Sequence, residues 1–228
     1  MSIEDIILDR DRRGISALRP HVPDDFCSQA AGLVLEHPGK AVIVTGFYIL
    51  GAGITETDGP PGAIVIGDAL QSVGYEVVYV TDRYTAPVMT EVLGPEGRVI
   101  DFPIVDAEAS ERFAKQVLAD EDPSVLISIE RCGLTEEGRA RNMHGREITE
   151  YNAKVDYLFS EHPVSVGIGD GGNEIGMGNL ASIIPSVPSL VRLPCVTSVT
   201  KLVISSVSNW GGYGLVAGVD EVGRGPLA

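Results

Sequence analysis

The sequence predicts an α/β fold: a doubly wound, Rossmann-like, mostly parallel sheet of about six strands with helices on both faces. Three observations carry this reading. Short runs of β-rich residues are nearly continuous in apolar character, as strands buried on both faces of a parallel sheet are. Helix-like stretches separate them, and alternating strand and helix calls for parallel pairing through right-handed crossovers. No linker, internal repeat or low-complexity tract interrupts the 228 residues, so residues 1–228 read as one domain.

Taken in order, residues 1–38 form a helical N-terminal segment packed on that domain. IEDIILDRD places apolar residues at helical spacing, and DDFCSQAAGLVLEH follows Pro23 with an acidic first turn. Strands are read at 41–47 (AVIVTGF), 76–82 (EVVYVTD), 98–104 (RVIDFPI), 124–130 (SVLISIE), 164–169 (VSVGIG) and 201–208 (KLVISSVS). Helices are read at 60–74, 87–94, 107–119, 149–159, 172–183 and 212–219. Asp58 is placed to cap the helix whose first turn holds Pro60 and Pro61. Residues 185–199 are a proline-punctuated connection, and the tail after Val219 reads as loosely ordered.

Composition narrows the function. Lys plus Arg is 17 and Asp plus Glu is 32, a net charge of −15, which disfavours nucleic acid and anionic membranes as partners. No apolar run approaches the roughly 18 residues a membrane span needs. The start, MSIEDIILDRDRRG, has acids where a signal peptide has positive charge, so the chain reads as cytoplasmic. Cys27, Cys132 and Cys195 are far apart and odd in number, with neither metal spacing nor a disulfide framework.

In open parallel sheets, ligands bind beyond the carboxyl ends of the strands. Unusual residues gather there. Glu56 and Asp58 follow the first strand; Glu130 ends the fourth, with Arg131 and Cys132 behind it; Asn209 follows the sixth. After the fifth comes GIGDGGNEIGMGN (167–179), carrying Asp170, Gly171, Gly172, Asn173 and Glu174. The loop formally matches G-x-G-x-x-G, but its acids oppose a pyrophosphate. No acid follows between Glu174 and Asp220 to hold a ribose, so a dinucleotide is excluded. Cys132 has no nearby histidine to activate it, and His144 reads as an incidental loop histidine. Arg139 and Arg141 are open either to solvent or to an anion.

Clustered carboxylates must bind a cation, bind an ammonium, or share protons at raised pKa. Arginines beside them favour carboxylates. A small amino acid with an extra carboxylate satisfies both sets. So does a divalent cation such as Mg²⁺ or Mn²⁺ on Asp58, Asp170 and Glu174, with a carboxylate ligand; otherwise no cofactor is called for.

ETDGPPGA (56–63), IER with GRARN (129–131, 138–142), GIGDGGNEIGMG (167–178) and VSNWGGYGL (207–215), together with DRRGI near residue 12, resemble the D-glutamate cyclase family, in its C-terminal, catalytic-type domain. The likeness covers nearly the whole chain. It implies a lyase that dehydrates D-glutamate to 5-oxo-D-proline (5-oxoproline), with the matching motifs lining the site. On that footing Asp170 or Glu174 accepts the amine proton. Glu130 or Asp58 protonates the leaving oxygen, and Arg131 holds the α-carboxylate. Asn173 and the N–H groups of Gly171 and Gly172, at a helix N-terminus, meet the oxyanion; Glu56 and Asn209 complete the substrate contacts. The N-terminal domain of longer family members is absent, so a separate partner domain or a homo-oligomer is the implied partner besides the substrate. A metal enzyme acting on another small carboxylate, and a non-catalytic amino-acid-binding module, are the alternatives.

Overall fold

Strand β1 (Lys40–Gly46) is buried from Ala41 onward and lies in the middle of the sheet, which explains its unbroken apolar run. The computed structural model describes residues 1–224. Around β1 the strands β4 (Glu76–Thr81), β5 (Val99–Asp101), β6 (Val125–Arg131), β7 (Ser165–Gly169) and β8 (Lys201–Ile204) complete a six-stranded sheet. Its order is β5-β4-β1-β6-β7-β8, and every neighbouring pair is parallel. The chain therefore winds outward from β1 in one direction and from β6 in the other, the doubly wound arrangement expected.

Helices cover both faces. On one, α3 (Pro60–Ser72) packs against α7 (Ser208–Arg224) over β1 and β6, with α1 (Ile3–Ile7) and α2 (Phe26–Leu35) beside α7. On the other, α5 (Ala107–Glu121) packs against α6 (Asp156–Glu161). The short α4 (Ala86–Leu93) lies along β5. One continuous apolar core joins the sheet to the N-terminal segment through Ile7, Ile15, Leu18 and Phe26.

Several boundaries depart from the sequence reading. The third strand ends at Asp101, before Pro103, which has no N–H to give a ladder. The helix read over 149–159 is a 3-10 turn, Thr149–Tyr151, followed by α6. The helix read over 172–183 does not form: Gly172 and Gly176 have φ of 103° and 104°, outside the helical region, and only a 3-10 turn at Met177–Leu180 follows. A small hairpin, β2 (Tyr48–Ile49) with β3 (Ile54–Thr55), occupies the approach loop after β1. The last helix starts at Ser208 and continues through Arg224; the rest of the tail, 225–228, lies outside the described residues.

Asp58 does not cap α3. Its Oδ1 accepts from Asn209 N at 2.7 Å and its Oδ2 from Ser208 N at 3.1 Å, so it caps α7. In return Asn209 Oδ1 accepts from Gly59 N at 3.0 Å and Gly62 N at 2.8 Å, capping α3. The two helices that flank the site thus cap each other. The exchange requires close approach: a Cβ on Gly62 would stand 2.5 Å from Ile129 Cδ1 and 2.9 Å from Asn209 Oδ1. Asn209→Ala is expected to lower stability by about 1–2 kcal/mol, the cost of a lost cap. Urea unfolding would show it as a lower midpoint at unchanged slope.

Candidate active site

The site lies where the strand order reverses, beyond the carboxyl ends of β1 and β6, as the switch-point rule requires. Glu130 stands at its centre. The β1–β6 register runs from Thr45↔Ile129 directly to Gly46↔Arg131, leaving Glu130 as a bulge. Its φ is 44°, in the left-handed region, which costs a residue other than glycine about 1–2 kcal/mol. Strain of this kind gathers at functional sites. Here the bulge turns an acidic side chain that is only 4% exposed into the acid cluster.

One carboxylate oxygen each from Asp58, Glu130 and Asp170 lie within 4.8 Å of one another. Asp58 is held by the α7 amides. Ser208 Oγ, from the first turn of α7, donates to Glu130 Oε2. Arg13 Nη1 donates to Asp170 Oδ1. Asp170 Oδ2 and Glu174 Oε1 are buried without a hydrogen-bond partner.

Crowding of acids away from water sets their protonation. Burial, then the charges of Asp170, Glu174, Asp58 and Glu56, push Glu130 well above the carboxylate range. Burial and the charge of Glu174 push Asp170 up to about 9, against the pull of Arg13. Burial also raises Glu174, opposed by backbone N–H groups including that of Gly172. Burial and neighbouring Asp58 raise Glu56. With Asp170 raised to about 9, the cluster keeps a proton on that carboxyl at neutral pH.

The glycine loop serves an anion of its own. Gly172 N donates to Glu174 Oε2 at 2.8 Å, so the carboxylate folds back over the loop. A Cβ on Gly169 would lie 2.8 Å from that same oxygen. The glycines thus make room for Glu174, and the resemblance to a phosphate cradle is formal only.

Two expected assignments need correction. Arg131 does not face the cleft as a free carboxylate grip: its side chain is 1% exposed, and its Nη2 pairs with Asp82 Oδ2 at 2.7 Å. Its remaining bonds go to the carbonyls of Gly46 and Ala153, each at 2.9 Å, which locks β1, β6 and the 153 segment together. The loop donors expected for an oxyanion are also engaged. There is no helix N-terminus behind Gly171 and Gly172; Gly172 N serves Glu174, and Asn173 Nδ2 donates to Arg141 O at 3.1 Å.

Other residues fall as follows. Glu56 lines the cleft beside the cluster. The three carboxylates best placed to share a hard cation are Asp58, Glu130 and Asp170; Glu130 takes the place expected of Glu174. Arg139 and Arg141 pair with Glu147 and Glu137 at 2.7 and 2.8 Å. Cys132 is buried, and burial pushes its thiol up, away from a nucleophile's range.

The cleft itself has a volume of ≈ 360 Å³. Its lining includes Arg13, Tyr48, Glu56, Glu130, Asn142 and Met143. The β2–β3 hairpin forms one wall, where Tyr48 stacks on Tyr151 with ring centroids 4.5 Å apart. The 142–146 turn forms the other. Sequence reasoning missed Arg13 and Ser208 as members. For Arg13 a signal existed in DRRGI; for Ser208, in its place immediately before Asn209.

A family model described as D-glutamate cyclase-like, C-terminal, matches residues 3–224. Over 210 residues the chain is 30% identical to the mitochondrial D-glutamate cyclase of Homo sapiens. That alignment covers 81% of this chain and 33% of the human protein, so the chain spans about a third of the length of this curated relative.

Proposed function

From a chain that belongs to the D-glutamate cyclase-like, C-terminal family, we propose a lyase that dehydrates D-glutamate to 5-oxo-D-proline. The observation that supports it is one cluster in which Asp58, Glu130 and Asp170 bring carboxyl oxygens within 4.8 Å of one another, where burial and neighbouring acids raise Glu130 and Asp170 above the carboxylate range.

The reaction needs this combination. The α-nitrogen attacks the side-chain carboxyl carbon, a C–N bond forms, a C–O bond breaks, and water leaves. The ammonium gives up two protons and the departing oxygen takes two, so the cluster ends in the state in which it began. A carboxylate at the cluster, Asp170 or Glu174 once deprotonated, accepts from the amine; a protonated Glu130 donates to the leaving oxygen. Ser208, bonded to Glu130 Oε2, orients that carboxyl. Closing a five-membered ring without prior activation of the carboxyl rests on proximity and on this proton supply. The small cleft at the switch point provides the first.

A second reading has one observation behind it: Asp58, Glu130 and Asp170 offer three oxygens to a divalent cation such as Mg²⁺ or Mn²⁺. The Arg13 guanidinium on Asp170 weighs against it, because it already supplies a positive charge there. No helix among the described residues is long and apolar enough to cross a membrane. The mitochondrial location in the human relative's name is a property of that protein; for this chain we propose the cytoplasm.

The test is direct. Purified protein incubated with D-glutamate, without ATP or a nicotinamide, should yield 5-oxoproline by proton NMR, with L-glutamate as comparison and with EDTA, Mg²⁺ and Mn²⁺ arms. No change in D-glutamate under any arm overturns the lyase reading. Turnover abolished by EDTA and restored by a metal favours the second.

A further inference from the structure

Arg13 lies far from every other member of the cluster in sequence, yet its placement is built in detail. Asp11 Oδ1 accepts from Arg13 N at 2.9 Å and Gly14 N at 2.8 Å, and its Oδ2 accepts from Ser16 N at 2.8 Å. This Asx-type turn fixes the backbone at residue 13. Gly14 continues it with φ of 87°, packed so close to Ser189 that a Cβ would stand 2.4 Å from its Oγ. From this base the guanidinium reaches Asp170 Oδ1, while the side chain keeps 37% of its surface exposed at the mouth of the cleft.

Three facts describe the end of that arm. Asp170, its partner, is 1% exposed and has a second oxygen, Oδ2, with no hydrogen-bond partner. Glu174 Oε1 is likewise buried and unpartnered. Once these acids are deprotonated both oxygens are acceptors, so the ligand that completes them is a donor: an ammonium, with three N–H groups, fits. An ammonium arriving on Asp170 would crowd the guanidinium there, two like charges on one carboxylate.

We propose that Arg13 is a resident cation that yields Asp170 to the substrate ammonium and turns to grip the substrate's α-carboxylate, so that it determines selectivity for an α-amino acid with a free α-carboxylate. The inference rests on the glutamate reading of the site. The exchange keeps the positive charge on Asp170 constant. The guanidinium swings within the cleft it already lines, and its planar fork matches a carboxylate in bidentate fashion. Arg131, buried against Asp82, is not free for this task. The remaining arginine lining the cleft, Arg146, is exposed on the opposite wall, on the 142–146 turn.

Binding measured by calorimetry tests this, with D-glutamate and with its α-carboxamide analogue (the side-chain carboxyl intact), on wild type, Arg13→Met, Arg13→Lys and Arg146→Met. Wild type should prefer D-glutamate by at least about tenfold, the scale of one charge-assisted hydrogen-bonded pair. Arg13→Met should lose that preference while binding the α-carboxamide as well as wild type. Arg13→Lys, which keeps charge but not the fork, should fall between them. A merely structural Arg13 would lower the melting temperature and leave the ratio of the two affinities unchanged. That result overturns the proposal, as does a ratio that collapses only in Arg146→Met. If wild type neither binds nor converts D-glutamate, this inference and the cyclase reading fall together. If it converts D-glutamate with the same preference in Arg13→Met, only this inference fails.

Discussion

Asp170→Asn is expected to lose at least about a hundredfold in turnover, within the range of a positioned acid or base, while melting no lower than wild type at neutral pH without ligand. The carboxyl stands 1% exposed among four other acids, and asparagine removes the cost of keeping it protonated at neutral pH. Asparagine still presents an oxygen to Arg13. The pH dependence follows from the direction of the shift. An aspartate lifted from 3.8 to about 9 binds a proton in the folded state where the unfolded chain does not. Its contribution to stability is complete below the lower value and is lost as pH rises through the upper one. Wild type should therefore melt progressively lower from about pH 5 to about pH 9, and Asp170→Asn should show a shallower fall. Some slope should remain, since Glu130 shifts in the same direction. A variant that melts markedly lower and keeps most of its turnover would show that Asp170 serves the loop and not the chemistry.

Arg131→Met should be among the most destabilising single changes in the molecule, at about 3–5 kcal/mol, the cost of leaving one member of a buried ion pair alone. Asp82 would be stranded 2% exposed, and the carbonyls of Gly46 and Ala153 would each lose a donor. Should the single variant fail to fold, Arg131→Met combined with Asp82→Asn removes the stranded charge and recovers part of the loss. Turnover per folded molecule in that double variant should stay within a few-fold of wild type. Urea unfolding paired with an activity assay separates the alternatives. Full stability with turnover reduced a hundredfold would return Arg131 to the substrate.

The two variants mark how far the residues alone are informative. Asp170 and Arg131 look alike in sequence: each is a charged residue at the end of a parallel strand, beside glycine or cysteine. Their difference is the partner. Asp82, at the end of β4, claims Arg131, and nothing local to residue 131 announces it. Asp58 shows the same limit. Standing two residues before Pro60, it has the position of a cap for α3, yet beyond the adjacent Gly59 N–H its hydrogen bonds go to α7, 150 residues away. The glycine loop is the third case. Its glycines speak of a close backbone approach, and what they admit is the side chain of Glu174 within the loop.

What the sequence by itself determined is the architecture and the edge of the sheet that carries the site. Hydrophobic runs and helical spacing are local periodicities, and alternation of the two leaves few parallel topologies. The acids at the strand ends were visible for the same reason, since the ends of strands could be read. Only the tertiary structure decided the partners: that β1 and β6 are neighbours at the switch point, that a bulge turns Glu130 inward, and that Arg13 reaches Asp170 across 157 residues of chain. Pairing of charges is a matter of distance in space and of shared burial. A period along the chain carries no information about it until packing brings the strand ends together.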